Sequence, residues 1–190
     1  MNNRPCADEE LFARFSGRGD HAALEELVAR WHGAAFRVAR CICRNSAMAE
    51  EAVQDTFVRL LSGKVRFQDR GPGSFRCWFL SLVTNSARMA RRTERRQERK
   101  RNLSAREYAL RKGCETGAEP APGRSEWAAA LGHALDGLEE RSRTPVVLRF
   151  MEGMQQREMA ALLGVSQQMV ARRIDQGVAQ LRLRLAGYGV

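Results

Sequence analysis

The sequence predicts an all-α protein: two small helical domains joined by a flexible linker, the C-terminal one containing a helix-turn-helix. Three observations carry this reading. Apolar residues recur at helical spacing almost everywhere, with no convincing strand alternation. Glycine and proline accumulate in one internal segment. The last third holds a small residue, a glycine and a serine where a helix-turn-helix needs them.

The first domain is expected over residues 21–102, after an N-terminal extension of residues 1–20 to which no role is assigned. Asp20 is placed to cap a helix whose apolar face runs Leu24, Leu27, Val28, Trp31, Ala35 and Val38. After Asn45 and Ser46 comes the cleanest helix, with Ala49, Ala52, Val53, Thr56, Phe57, Leu60 and Leu61 on one face. Gly71-Pro72-Gly73 breaks the chain, and Ser74 is placed to cap a third helix burying Phe75, Trp78, Phe79, Leu82 and Val83. Its other face carries Ser81, Asn85, Arg88, Arg92, Arg95 and Arg99, so a basic stripe outruns the apolar one. A linker is expected over residues 103–125, where Gly113, Gly117, Pro120, Pro122 and Gly123 gather. The second domain, 126–190, opens with Trp127, Leu131, Leu135 and Leu138 on one face. Val146, Val147, Phe150 and Met151 follow, with Pro145 at the start of that run, where a first-turn proline is tolerated.

Composition narrows the function. The 190 residues carry 32 Lys+Arg against 22 Asp+Glu, a net charge of +10, which points to a polyanionic, acidic or anionic-surface partner. The excess is concentrated: Arg88 to Lys112 holds eleven basic and three acidic residues, a local net of +8. No apolar run approaches the roughly 20 residues of a membrane span, and the first residues lack a secretion signal, so a cytoplasmic protein without stable membrane insertion is expected. Cys6, Cys41, Cys43, Cys77 and Cys114 are odd in number and scattered, which argues against a disulfide framework. Cys41-x-Cys43 with His32 lacks the second ligand pair of a structural zinc site, so no metal and no cofactor is expected. The sequence has no P-loop, dinucleotide glycine set or nucleophile elbow, and the histidines His21, His32 and His133 are far apart, so an enzyme is not expected.

The most informative stretch runs from Gln155 to Ile174. Ala160 lets two helices cross closely, Gly164 can take the left-handed conformation that ends the first, Val165 plugs the turn, and Ser166 can cap the second. Val170, Ile174, Val178, Leu181 and Leu185 then face inward, leaving Gln167, Gln168, Ala171, Arg172 and Asp175 outward at the end that enters a major groove. Gln pairs bidentately with adenine and Arg with guanine. An ordinary helical hairpin is the competing reading, as a solvated face is for the basic stripe. Phe75, Trp78 and Phe79 have core spacing, although aromatics beside a basic groove also hold unstacked bases. Periodicity favours the core for Phe75 and Phe79 and leaves Trp78 open.

Ala49-Glu-Glu-Ala-Val-Gln-Asp-Thr-Phe-Val-Arg-Leu-Leu61, Phe67, Trp78-Phe-Leu-Ser-Leu-Val-Thr-Asn85, the basic run and the helix-turn-helix resemble the bacterial extracytoplasmic-function (ECF) sigma factors, in order and spacing, from about Ala22 to Leu185. The resemblance implies a subunit that binds core RNA polymerase and directs promoter recognition, −10 melting and initiation. It implies that Gln54, Asp55 and Arg59 dock on the polymerase, with Phe57 mostly packing. The loop from Phe67 to Arg76, with Trp78, would hold a base flipped from the −10 element, and Asn85, Arg88, Arg91, Arg92 and Arg95 would line the adjoining DNA. Gln167, Gln168, Arg172 and Arg173 would read or grip the −35 element, Ala171 standing where relatives commonly have a lysine. An anti-sigma partner is implied by the resemblance only. Two other functions compete: a stand-alone helix-turn-helix regulator that dimerises on two half-sites, and a sigma-like decoy that binds an anti-sigma factor without touching DNA.

Overall fold

The computed structural model describes residues 6–108 and 126–186, and among them there are eight helices and no strand. Helices α1 (Asp8–Arg18), α2 (His21–Cys43), α3 (Ser46–Leu61) and α4 (Ser74–Tyr108) form the first unit. Helices α5 (Glu126–Asp136), α6 (Glu140–Phe150), α7 (Gln156–Leu163) and α8 (Gln167–Leu185) form the second. None is long and apolar enough to cross a membrane.

In the first unit α2 is the hub, packed against α1, α3 and α4. Leu27, Ala35, Val38 and Ile42 of α2, Ala49 and Val53 of α3, and Phe75, Phe79 and Val83 of α4 are buried together, as their spacing requires. The expected cap forms, Asp20 accepting from the Ala23 amide at 3.2 Å, and Asn45 caps α3 by accepting from the Met48 amide at 3.1 Å. The other Asp20 oxygen takes the Arg14 guanidinium at 2.6 Å, while Gly19, at φ 65°, ends α1. One carboxylate thus shapes the α1–α2 corner from both sides.

Several features differ from the sequence reading. Residues 1–20 are no idle extension: within them α1 buries Leu11 and Phe12 against α2 and α4. Ser74 does not cap α4. It is the first helical residue, its hydroxyl accepts from the Arg70 amide and donates to Asp69, and the first-turn amide of Phe75 goes to Glu9 of α1 instead. Pro145 lies in the interior of α6, because the helix starts at Glu140. The Arg141 carbonyl therefore lacks its i+4 donor. Beyond Pro145, Val146 and Val147 are buried as expected, whereas Phe150 and Met151 are exposed. Helix α4 also continues past residue 102 to Tyr108, and the rest of the expected linker, with Cys114, lies outside the described residues.

The two units pack against each other, α2 on α6 and α4 on α7, and a single buried cluster runs through both, taking in Leu148, Met154, Met159, Val170 and Ile174. Arginines of the first unit meet carboxylates of the second along this contact. Arg37 pairs with Glu152 at 2.8 Å, Arg40 with Asp136 at 3.3 Å, Arg76 with Glu158 at 3.2 Å, and Arg91 with Glu140. At the centre Arg143 of α6 is 1% exposed, donates to the Cys41 carbonyl of α2 and lies 3.5 Å from Asp136. Burial lowers the pKa of its guanidinium from the ordinary arginine value.

Candidate nucleic-acid interface

The helix-turn-helix forms as its residues dictate. Glu158 accepts from the Gln155 amide at 2.7 Å at the start of α7. Gly164, at φ 68°, ends that helix with its amide 3.0 Å from the Ala160 carbonyl, and the Ser166 hydroxyl accepts from the Met169 amide at 3.2 Å to open α8. Val170 and Ile174 are buried beneath, so Gln167, Gln168 and Arg172 stand exposed on the first turns of α8. Arg173 is half-buried and turns into the cleft between the two units.

On α4, Asn85, Arg92 and Arg95 are exposed and Arg88 is half-buried. Arg91 is committed elsewhere, donating to the Ile42 carbonyl at 2.8 Å and to Glu140. Upstream, Phe75 and Phe79 are buried and stack with ring centroids 5.7 Å apart, so they belong to the core as their periodicity favoured. Trp78 is half-buried and sits in an aromatic nest with Phe67 at 5.0 Å and Phe12 at 5.2 Å. The loop before α4 is held by Asp69, which accepts from the Gly71 amide at 2.8 Å, and its Gly71 and Gly73 take φ of 100° and 80°.

The outward face of α3 is a further surface. Gln54 and Asp55 are exposed and Arg59 half-buried, beside the exposed apolar side chains of Val58 and Leu61. The buried Ser86 hydroxyl of α4 accepts from Arg59 at 3.4 Å and donates to Asp55 at 3.2 Å, fixing both charged groups on the scaffold.

The geometry is thus a capped helix-turn-helix, a basic helix with an aromatic nest at its start, and a mixed polar and apolar helix face. The model of sigma-70 region 2 matches residues 27–97, and that of sigma-70 region 4 matches residues 128–181. The ECF RNA polymerase sigma factor SigE of Mycolicibacterium smegmatis is 34% identical over 181 residues, 92% of this chain and 67% of that one. The RNA polymerase sigma factor CarQ of Myxococcus xanthus is 31% identical over 168 residues, 86% of this chain and 90% of the relative. The chain belongs to the ECF sigma factors.

This sigma factor also shares its fold with solved relatives. The structure of CnrH in complex with the cytosolic domain of CnrY matches with a TM-score of 0.62 and 29% identity over 96% of this chain and 99% of the other. The sigma factor RpoE in complex with the anti-sigma factor NepR, from Bartonella quintana, matches in fold with a TM-score of 0.63 at 18% identity, over 86% and 96%. As a sigma factor the chain associates with RNA polymerase and serves promoter-directed initiation. The stand-alone regulator and the decoy are not favoured.

The sequence reading missed the residues that join the units: Arg37, Arg40, Arg44, Arg76 and Arg143, with Asp136, Glu152 and Glu158. Only Arg143 carries a local signal, a charge inside the fully buried run Ser142–Leu148. Among the described residues no group of three His, Cys, Asp or Glu side chains is placed to hold a metal ion.

Proposed function

We propose that α3 docks on core RNA polymerase through Gln54, Asp55 and Arg59, and that α4 and α8 hold the −10 and −35 elements. Trp78 and the loop before α4 receive an unstacked base. Asn85, Arg88, Arg92 and Arg95 hold the adjoining phosphates, joined by Arg91 once parting of the units releases it from Glu140, and Gln167, Gln168, Arg172 and Arg173 serve the −35 element. The first unit, with α1 added to it, is the −10 and polymerase domain, and the second, from Glu126, is the −35 domain. The observation that carries this reading is the exposure of Gln167, Gln168 and Arg172 on a helix whose buried side and cap leave those positions free to enter a groove.

Initiation in this reading includes a separation of the two units. The −35 and −10 elements are by name about 25 base pairs apart, roughly 85 Å at about 3.4 Å per base pair. In the packed arrangement Arg173 lines the same cleft as Arg88, Arg91 and Arg95, so one compact body cannot serve both elements. The protein works by binding and positioning, with no catalytic step and no cofactor of its own, in the cytoplasm where polymerase and promoters are. The solved complexes of RpoE with the anti-sigma factor NepR and of CnrH with the cytosolic domain of CnrY support a partner protein for this chain, an anti-sigma factor.

Run-off transcription with purified core polymerase on fragmented genomic DNA tests the reading. New start sites that disappear with Arg92→Ala/Arg95→Ala and shift in −35 preference with Arg172→Ala are expected. Transcripts indifferent to both variants would refute the assigned faces.

A further inference from the structure

Where the units pack, an open cleft of about 600 Å³ lies between α4, α6 and α8. Its lining includes Arg44, Arg88, Arg91, Arg95, Arg141 and Arg173, against the two carboxylates of Glu139 and Glu140. Both carboxylates are already taken, Glu139 by Arg141 at 2.5 Å and Glu140 by Arg91. Arg44 donates to the Leu138 carbonyl at 2.8 Å and has no carboxylate partner among the described residues, and neither do Arg88, Arg95 and Arg173. Four guanidinium groups from two units thus converge on one cavity without an anion to balance them. Like charges brought together in a partly enclosed site repel, so packing of the units is opposed at this point unless something negative enters.

A second feature of the cleft is independent of charge. Thr144 of α6 lines it, is 4% exposed, and its hydroxyl is buried with no hydrogen-bond partner among the described residues. Pro145 follows it inside the helix. A buried unpaired hydroxyl costs stability, and one at the wall of a cationic cavity is a donor waiting for an acceptor.

We infer that this cleft is a binding site for a compact oligophosphate, a ligand carrying two or three linked phosphate groups, held by Arg44, Arg88, Arg95 and Arg173 with the Thr144 hydroxyl. The volume falls within the range of about 300–1,000 Å³ typical of small-ligand sites. Its charged lining is arginine apart from the already paired Glu139 and Glu140, so it favours a compact anion. Guanidinium forks match phosphate oxygens bidentately. Because Arg173 comes from one unit and Arg88 and Arg95 from the other, the ligand stabilises their packing. Its antagonism to promoter binding rests on the DNA roles proposed for those same arginines; the site itself does not.

The test is calorimetric titration of the full chain with inorganic tripolyphosphate, without DNA, at about 0.15 M KCl. One saturable site is expected, weakened about tenfold by Arg44→Gln and by Thr144→Val, and unaffected by Arg157→Ala, which removes an exposed charge outside the cleft. Thr144→Val keeps the fold, since it replaces an unpaired hydroxyl by a methyl, and its unliganded melting temperature is expected not to fall. Tripolyphosphate is also expected to slow alkylation of Cys41, which α6 covers when the units are packed. No binding at millimolar ligand, several weak sites, equal loss in Arg157→Ala, or binding that leaves Cys41 labelling unchanged would each overturn the proposal. Since binding is read without DNA, failure of the promoter roles leaves this result standing, and its failure leaves them untouched.

Discussion

The carboxylate of Glu9 in α1 accepts a hydrogen bond from the Phe75 amide in the first turn of α4, at 3.0 Å, across 66 residues of sequence. A helix N-terminus has orphan N–H groups and a partial positive charge, and α1 satisfies both from outside. The nest around Trp78 shares this support, because Phe12 of α1 packs on Phe75 and Trp78. The start of α4, where a −10 base is proposed to bind, is therefore shaped by a helix outside the matched region-2 segment.

Glu9→Ala is expected to cost about 0.5–2 kcal/mol, the usual worth of a capping side chain. In thermal melts that corresponds to a fall of roughly 2–4 °C per kcal/mol for a chain of this size. Melts unchanged by Glu9→Ala but lowered by Phe12→Ala would assign the role of α1 to packing alone.

Gly177 sets the approach of α8 to α6. A Cβ there would lie 2.7 Å from a Val146 methyl and 3.3 Å from the Ser142 carbonyl. Gly177→Ala is expected to destabilise the second unit by about 1–3 kcal/mol through overpacking, despite the better helix propensity of alanine. Val146→Ala should recover part of the loss by making room, a double-mutant coupling readable in denaturant melts.

The packed state depends on Arg–carboxylate pairs that are each partly exposed, worth about 0.2–1 kcal/mol apiece and screened by salt. Raising ionic strength is expected to increase Cys41 labelling and the radius of gyration together. Acid acts in the same direction through Glu158. Burial pushes its pKa up, but the Gln155 amide, the Cys77 thiol and the Arg76 guanidinium outweigh that, so the carboxyl titrates below the usual value of 4.5. Its contribution is fully present above that unfolded value and is lost as pH falls through the lower folded one. Glu158→Gln should remove this part of the acid response in scattering measurements.

Burial pushes the thiols of Cys41 and Cys43 up to about 11 from an ordinary thiol value of 9.0. Thiolate is the reactive form, so at pH 8 iodoacetamide should modify both about 100-fold more slowly than in the unfolded chain. Peptide mass spectrometry checks this, and rates climbing about tenfold per pH unit toward pH 11 are expected. If Cys41 is modified at the unfolded rate, α6 does not cover it in solution.

In DNA binding, Arg92→Ala and Arg95→Ala of the polymerase holoenzyme are expected to weaken promoter complexes across sequences and to reduce the salt slope by about 1 each. Arg172→Ala or Gln167→Ala is expected instead to cost about 1–3 kcal/mol at one −35 position and to relax preference there. Footprints of variant holoenzymes on matched and mismatched promoters separate the two behaviours.

Local pattern was enough to determine helices α2 to α8, the caps at Asp20 and Ser166, the left-handed Gly164 and the outward set Gln167, Gln168 and Arg172. These depend on residues within about one or two turns of each other, and apolar periodicity reports which face is buried. It does not report against what. The docking of α1, the pairing of Glu9 with Phe75, and the rows of Arg37, Arg40, Arg76 and Arg91 against acids 49 to 115 residues away are long-range. So is the cleft where Thr144 meets arginines of the other unit. A solvated arginine and a paired one look alike in sequence. Only the tertiary structure, by setting which helices share an interface, decided which of them stay exposed, which hold the units together and which line the cleft.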